Sequence, residues 1–187
     1  MLFAIAVILI LDTLTKMFAP ILAFTCDEIW QVMPHKDSDD KRNVVLNEMN
    51  APFTAYALDE DAMAKWEQMI ALRDDVNVVL ERARADKRIG KALEASVALK
   101  FDDSAADVKD VAENMNLAEL LIVSKCIVGD VALDDAVVAN GTNVPGVTIS
   151  VKEAEGTKCP RCWTITDQAD ENGLCPRCAR VVAALVD

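Results

Sequence analysis

KCPRCWTITDQADENGLCPRCAR, residues 158–180, sets two Cys-x-x-Cys pairs twelve residues apart near the end of a 187-residue chain. Each pair makes a tight turn that aims two sulfurs at one point, and twelve residues suffice for a hairpin that brings the turns together. Both intervening dipeptides are Pro-Arg, so the turns read as near copies. Four thiolates at this spacing suit a closed tetrahedral zinc site, with ligands Cys159, Cys162, Cys175 and Cys178. A closed site keeps no position for a catalytic water, so the ion's expected work is structural. A redox Cys-x-x-Cys stands alone beside a βαβ pattern, and an iron–sulfur site calls for other spacing.

The six cysteines do not form a disulfide framework, because Cys26 and Cys126 lie far from the paired turns. Paired turns in a reducing compartment favour metal over disulfide. The opening run MLFAIAVILIL is halted by Asp12, short of the roughly 20 apolar residues that a membrane span requires, and lacks the basic leader of a secretory signal. It is expected to form a buried core helix, with no membrane partner and a cytoplasmic location. The formal net charge of -12 excludes wholesale electrostatic binding to nucleic acid. Any RNA contact must come from a local basic patch.

Upstream of the cysteines the periodicity changes twice. Two helices are expected to about residue 34, broken at Ala19-Pro20 and closed by Pro34. For the second, Thr25 is the expected cap, with Glu28 reaching back and Phe24 stapled to Ile29. A polar connector follows, and its lone His35 has no visible partner for a catalytic role. The longest helix is expected from about Asp61 to Glu94. Its apolar stripe is Met63, Trp66, Ile70, Val76, Val79, Leu80 and Ala83, its acidic start Asp59 to Asp61, and its stop Gly90. SVALKF, LLIVSKCIV and VTISVKEA then suggest a small α+β unit of three or four strands, with a polar helix at 103–115 and a turn at GTNVPG. Cys126, inside a strand run, is expected to be a small buried hydrophobe.

The fold class is therefore mixed and mainly α, in three parts: a helical part at 1–94, a small α+β junction unit at 95–155 and a zinc-ribbon module at 156–187. Lys158, Arg161, Arg177 and Arg180 flank the cysteine turns, and Trp163 follows the second cysteine. These residues offer cations for phosphate and an aromatic face for stacking, or a ribbon core with solubilising charges. ERARADKRIGK concentrates a second basic patch, from which Arg84, Lys87 and Arg88 are candidate RNA contacts; no basic i+4 partner of Glu81 argues for a merely solvated face.

Three motifs in this order resemble the C-terminal part of bacterial isoleucyl-tRNA synthetases. They are APILAFTCDEIW at 19–30, RDDVNVVLERARADKRIGKALEASV at 73–97, and KCPRCW followed by CPRC. The first is similar to a signature of the helical anticodon-binding domain shared by the isoleucine, valine and leucine enzymes. The last is similar to the isoleucine enzyme's terminal zinc domain. The resemblance implies recognition of tRNA(Ile) within an enzyme that joins isoleucine to its tRNA at the expense of ATP. It also carries the zinc ligands and Trp163 over by motif. Cys26 departs from the family's small residue at that place and is expected to be buried and neutral. No HIGH-type or KMSKS-type signature and no dinucleotide-style glycine loop is present. The chain alone is not expected to activate isoleucine. It reads as a C-terminal fragment, an incomplete gene product or half of a split enzyme, whose partner would be the missing catalytic portion. The rival readings are a stand-alone zinc-ribbon interaction module, docking through an apolar surface that includes Leu2, Ile5, Ile8 and Leu9, and a redox or metal-handling protein.

Overall fold

A computed structural model describes residues 2–131 and 133–185, without the side chains of Leu2 and Phe3. The chain divides into two units, Met1–Ala57 and Leu58–Asp187.

The first unit pairs α1 (Leu2–Phe18) with α2 (Ala23–Val32) and ends in a connector with short 3-10 turns at Val44–Leu46 and Thr54–Tyr56. The break falls at Pro20 as expected, but the cap does not. The amides of Ile21 and Leu22 donate back to the Phe18 carbonyl at 2.9 and 2.8 Å, so the chain turns and re-enters a helix at Ala23 without a side-chain cap. Thr25 is already helical, and Phe24 is 94% exposed and staples nothing. Trp30 is fully buried and donates from Nε1 to the Asp40 carbonyl at 3.1 Å. Cys26 is buried beside it, as expected. His35 packs its ring 4.5 Å from that of Trp30, a structural role.

The expectation of α1 as a buried core helix fails in an instructive way. Among its described side chains the buried ones are Asp12, Thr15 and Lys16, whereas Ile5, Ile8, Ile10 and Leu14 are exposed. Polar groups win the inner face because they satisfy one another. The Lys16 ammonium lies 3.0 Å from Asp12 and 3.1 Å from Asp39, and 5.2 Å from the centre of the Trp30 ring. Lys36 and Asn50 donate to Asp12 at 2.9 and 2.8 Å, tying the connector to the helix.

The second unit opens with α3 (Glu60–Ala85), capped by the Asp59 carboxylate, which accepts the Ala62 amide at 2.8 Å. Met69, Leu72, Val76, Val79, Leu80 and Ala83 form its buried stripe. Met63, Trp66 and Ile70, expected in that stripe, are half exposed, because the buried face is set by the sheet that the helix packs on. The helix stops earlier than Gly90. Lys87 takes the left-handed conformation at φ 57°, its amide bonds to Arg84 O at 3.0 Å and the Arg88 amide to Ala83 O at 2.9 Å. That pair of bonds is a Schellman closure with lysine where glycine is usual.

A four-stranded sheet follows, in the order β2-β1-β4-β3. Its strands are β1 (Ala95–Phe101), β2 (Lys125–Val128), β3 (Val137–Asn140) and β4 (Val147–Glu153). β1 runs parallel to β2 and antiparallel to β4. The parallel pair needs a crossover, supplied by α4 (Ala106–Glu113) and α5 (Leu117–Leu121). The run LLIVSKCIV is thus split: Leu120 and Leu121 end a helix, Ile122 at φ 57° terminates it, and the strand starts at Lys125. Cys126 is only partly buried against the core, and burial pushes its thiol up to about 12. α3 and the sheet share one core, in which Leu72, Val76 and Val79 join Val97, Leu99, Ile149 and Val151. The boundary expected at 94/95 therefore separates two elements that pack together, and α3 belongs by packing with the sheet rather than with α1 and α2.

The chain ends in a small ribbon, β5 (Thr157–Lys158) paired with β6 (Ile165–Thr166), and α6 (Pro176–Ala183). Among the described residues no helix is long and apolar enough to cross a membrane.

Candidate metal centre and nucleic-acid interface

The first Cys-x-x-Cys pair occupies the turn between β5 and β6, and the second opens α6, with Cys175 as its N-cap residue and Pro176 at its first position. Proline suits that position because its missing amide would be unpaired there anyway. The two CPRC sequences are thus not structural copies, contrary to the repeat they suggest. One is a hairpin tip and the other a helix start.

The sulfurs of Cys159, Cys162, Cys175 and Cys178 all lie within 4.8 Å of one another. A zinc tetrathiolate with bonds of about 2.3 Å has sulfurs about 3.8 Å apart; Cys162 and Cys175 sulfurs are separated by 3.6 Å. Cys159, Cys175 and Cys178 are buried, with Cys162 and Leu174 partly buried against them. The four cysteines form a structural zinc site on donor set, closure and spacing. Burial opposes ionisation of Cys159, but the amides of Cys162, Cys175 and Arg161 outweigh it and bring the thiol down to about 6. Such a group is ready to meet a cation as thiolate. Around the sulfurs, Thr164 Oγ1 lies 2.6 Å from Cys162 Sγ, and Arg161 Nη1 donates to Cys178 Sγ at 3.7 Å. Sequence reasoning does not single out Thr164; a hydroxyl two places after the second cysteine is the available signal.

The ribbon is fastened to the sheet through Ser124. Its hydroxyl donates to Leu93 O and accepts the Ile165 amide at 2.7 Å.

The candidate RNA contacts separate into two groups. Five have acquired intramolecular partners: Arg84 with Glu81 at 2.5 Å, Arg88 with Asp135 at 2.5 and 3.0 Å, Lys158 with Glu94 at 3.5 Å, Arg177 with Glu119 at 3.7 Å, and Arg161 with the Cys178 sulfur. The Glu81 pair is made at i+3, so the i+4 rule missed it. Lys87 and Arg180 are exposed and have no ion pair among the described residues. Trp163 is 60% exposed and held at φ 66°, its amide bonded to Cys159 O at 2.9 Å. It lies on the surface of the ribbon and does not form its core.

Residues 6–99 match the family model described as the anticodon-binding domain of tRNA ligase. Over 181 residues the chain is 38% identical to an isoleucine–tRNA ligase of Staphylococcus epidermidis, covering 95% of this chain and 18% of that protein. It is 40% identical over 171 residues to the isoleucine–tRNA ligase of Pasteurella multocida, covering 90% and 18%. With the same ligase of Geobacillus thermodenitrificans it shares 39% over 173 residues, covering 90% and 18%. The chain thus spans about a fifth of the length of these relatives.

Proposed function

Because this chain belongs to the family of anticodon-binding domains of tRNA ligases, we propose that it forms the tRNA(Ile)-recognising part of an isoleucine–tRNA ligase, the joining of isoleucine to tRNA being the work of other parts of such an enzyme. The observation that carries this reading is Trp163, a large aromatic face turned outward on the ribbon that carries the four-cysteine site. Stacking of an unpaired base on an aromatic side chain contributes about 1–3 kcal/mol. Lys87 and Arg180 supply phosphate contacts. Arg84, Arg88, Lys158 and Arg177 join them by exchange, since exposed ion pairs are worth about 0–1 kcal/mol and give way to a phosphate at little cost. The chain's acidity does not oppose this, because screening confines distant carboxylates to about 8–10 Å.

The test is binding of the zinc-loaded chain to tRNA(Ile) and to an unrelated tRNA across a salt series. Preference for tRNA(Ile) that persists as salt rises is expected. Trp163→Ala should weaken binding about 5- to 150-fold, and Lys87→Glu with Arg180→Glu should flatten the salt slope by about 0.7–0.9 per lost phosphate. Equal or absent binding by folded, zinc-loaded protein overturns the reading.

A second reading has its own observation. Ile5, Leu9, Ile10, Leu14, Phe53 and Tyr56 line an apolar groove of the first unit. On this reading α1 docks on another polypeptide, such as the catalytic portion of the ligase. The side chain of Leu2, expected in that surface, lies outside the described residues.

A further inference from the structure

Arg161 and Thr164 reach the sulfurs of the metal centre from outside it, and the Arg177 guanidinium also stands against Cys162 and Cys178. Four thiolates around a divalent cation leave a net double negative charge, and Cys159 and Cys178 hold their share of it fully buried. A charge of that kind in a dry site requires donors aimed at the sulfurs. Cys162, the least buried of the four, has the Thr164 hydroxyl at 2.6 Å; since a metal-bound thiolate carries no proton, the hydroxyl is the donor. Cys178 has the Arg161 guanidinium at 3.7 Å, a donor distance suited to the larger sulfur atom.

Arg161 belongs to the first cysteine turn, yet its donor crosses to the second, 17 residues away. It therefore joins the hairpin tip to the start of α6 through the ligand set rather than through backbone. We infer that Arg161 and Thr164 are positioning residues of the zinc centre, holding Cys178 and Cys162 in place and dispersing the tetrathiolate's charge. This takes Arg161 out of the RNA interface, where its neighbours in sequence would place it. The inference rests on the assignment of zinc to the four cysteines and goes beyond the proposed RNA reading.

The test uses the full chain loaded with zinc, or with cobalt(II) as a spectroscopic stand-in. Outer partners of metal ligands typically change affinity about 10- to 100-fold when removed. Arg161→Ala and Thr164→Val should each weaken zinc at least about tenfold in competition with a chelator, and shift the sulfur-to-cobalt charge-transfer band. Thr164→Ser keeps the donor and should behave as the parent chain. Lys109→Ala controls for net charge, since among the described residues Lys109 pairs only with Glu113 on α4. Zinc affinities within about twofold of the parent and an unmoved band in both Arg161→Ala and Thr164→Val would overturn the inference, set against that expected tenfold loss. Failure of the parent chain itself to give a tetrathiolate cobalt spectrum would overturn the zinc assignment, and the inference with it.

Discussion

Asp75, on the buried face of α3, accepts the backbone amides of Asn143 at 3.0 Å and Val144 at 2.8 Å, across 68 and 69 residues of sequence. The carboxylate also takes the Asn143 side-chain amide at 3.0 Å. One acidic side chain on the helix thereby closes the turn GTNVPG between β3 and β4. Gly141 makes room for it, because a Cβ there would stand 2.8 Å from Asp75 Oδ2 and closer still to the Val147 side chain.

Asp75→Ala leaves the buried Val144 amide and the part-buried Asn143 amide without their acceptor, at about 1–3 kcal/mol for a buried one. Urea unfolding of the second unit should show a loss of about 3 kcal/mol. A loss below about 1 kcal/mol would mean that water replaces the carboxylate.

Among the described residues the cysteine cluster has no apolar core of its own apart from Leu174. Zinc-finger peptides owe about 10–16 kcal/mol to their metal. Cys175→Ser with Cys178→Ser should therefore abolish zinc binding and melt residues 156–185, while amide exchange in β1 and β4 stays slow. Retained zinc and a retained ribbon transition would refute the ligand assignment.

Lys87 holds a left-handed backbone at the end of α3. The left-handed region costs a non-glycine residue about 1 kcal/mol or more. Lys87→Gly should raise the thermal midpoint of the second unit, and Lys87→Val should lower it. If glycine gives no gain, the added entropy of the unfolded chain has cancelled the relief.

In the first unit, burial pushes the Asp12 carboxyl up, but hydrogen bonds from Asn50, Lys36 and Lys16 outweigh it and hold it below its ordinary value. Burial likewise lowers Lys16, and its bonds to Asp12 and Asp39 more than reverse this. A depressed carboxylate contributes stability above its unfolded value of about 3.9, lost as pH falls through the folded one. A raised lysine contributes below about 10.4, lost as pH rises through its folded value. Trp30 fluorescence, with Trp66 and Trp163 replaced by Phe, should therefore report level stability from about pH 5 to 9 and a fall below about pH 4. An acid limb unchanged by Asp12→Asn would remove this network from the explanation.

The cysteine spacing was legible because a metal turn is a local object: two residues between ligands suffice to specify it. The break at Pro20 and the strands β1 and β4 were legible for the same reason, being set by a proline and by short β-branched runs. The cap at Thr25 was misread because the turn closed on the Phe18 carbonyl lets the helix start two residues earlier, at Ala23, so Thr25 already lies inside it. Asp12 and Lys16 defied the apolar pattern of α1 because their partners, Asp39 and Asn50, lie in a connector with no periodicity to read.

From sequence alone came the four ligands, the closed character of their site, the succession of helix, sheet and ribbon, and the resemblance to a tRNA ligase, all carried by short-range spacing and composition. Tertiary structure alone decided which cations are paired within the chain. Arg88 meets Asp135 across 47 residues, and Arg161, itself exposed, reaches the Cys178 sulfur. It alone decided, too, that Trp163 faces outward, and that Met69 and Leu72 rather than Met63 and Trp66 meet the sheet. A helical period says that one face is buried; the partner surface chooses the face, and partners distant in the chain leave no mark on local sequence.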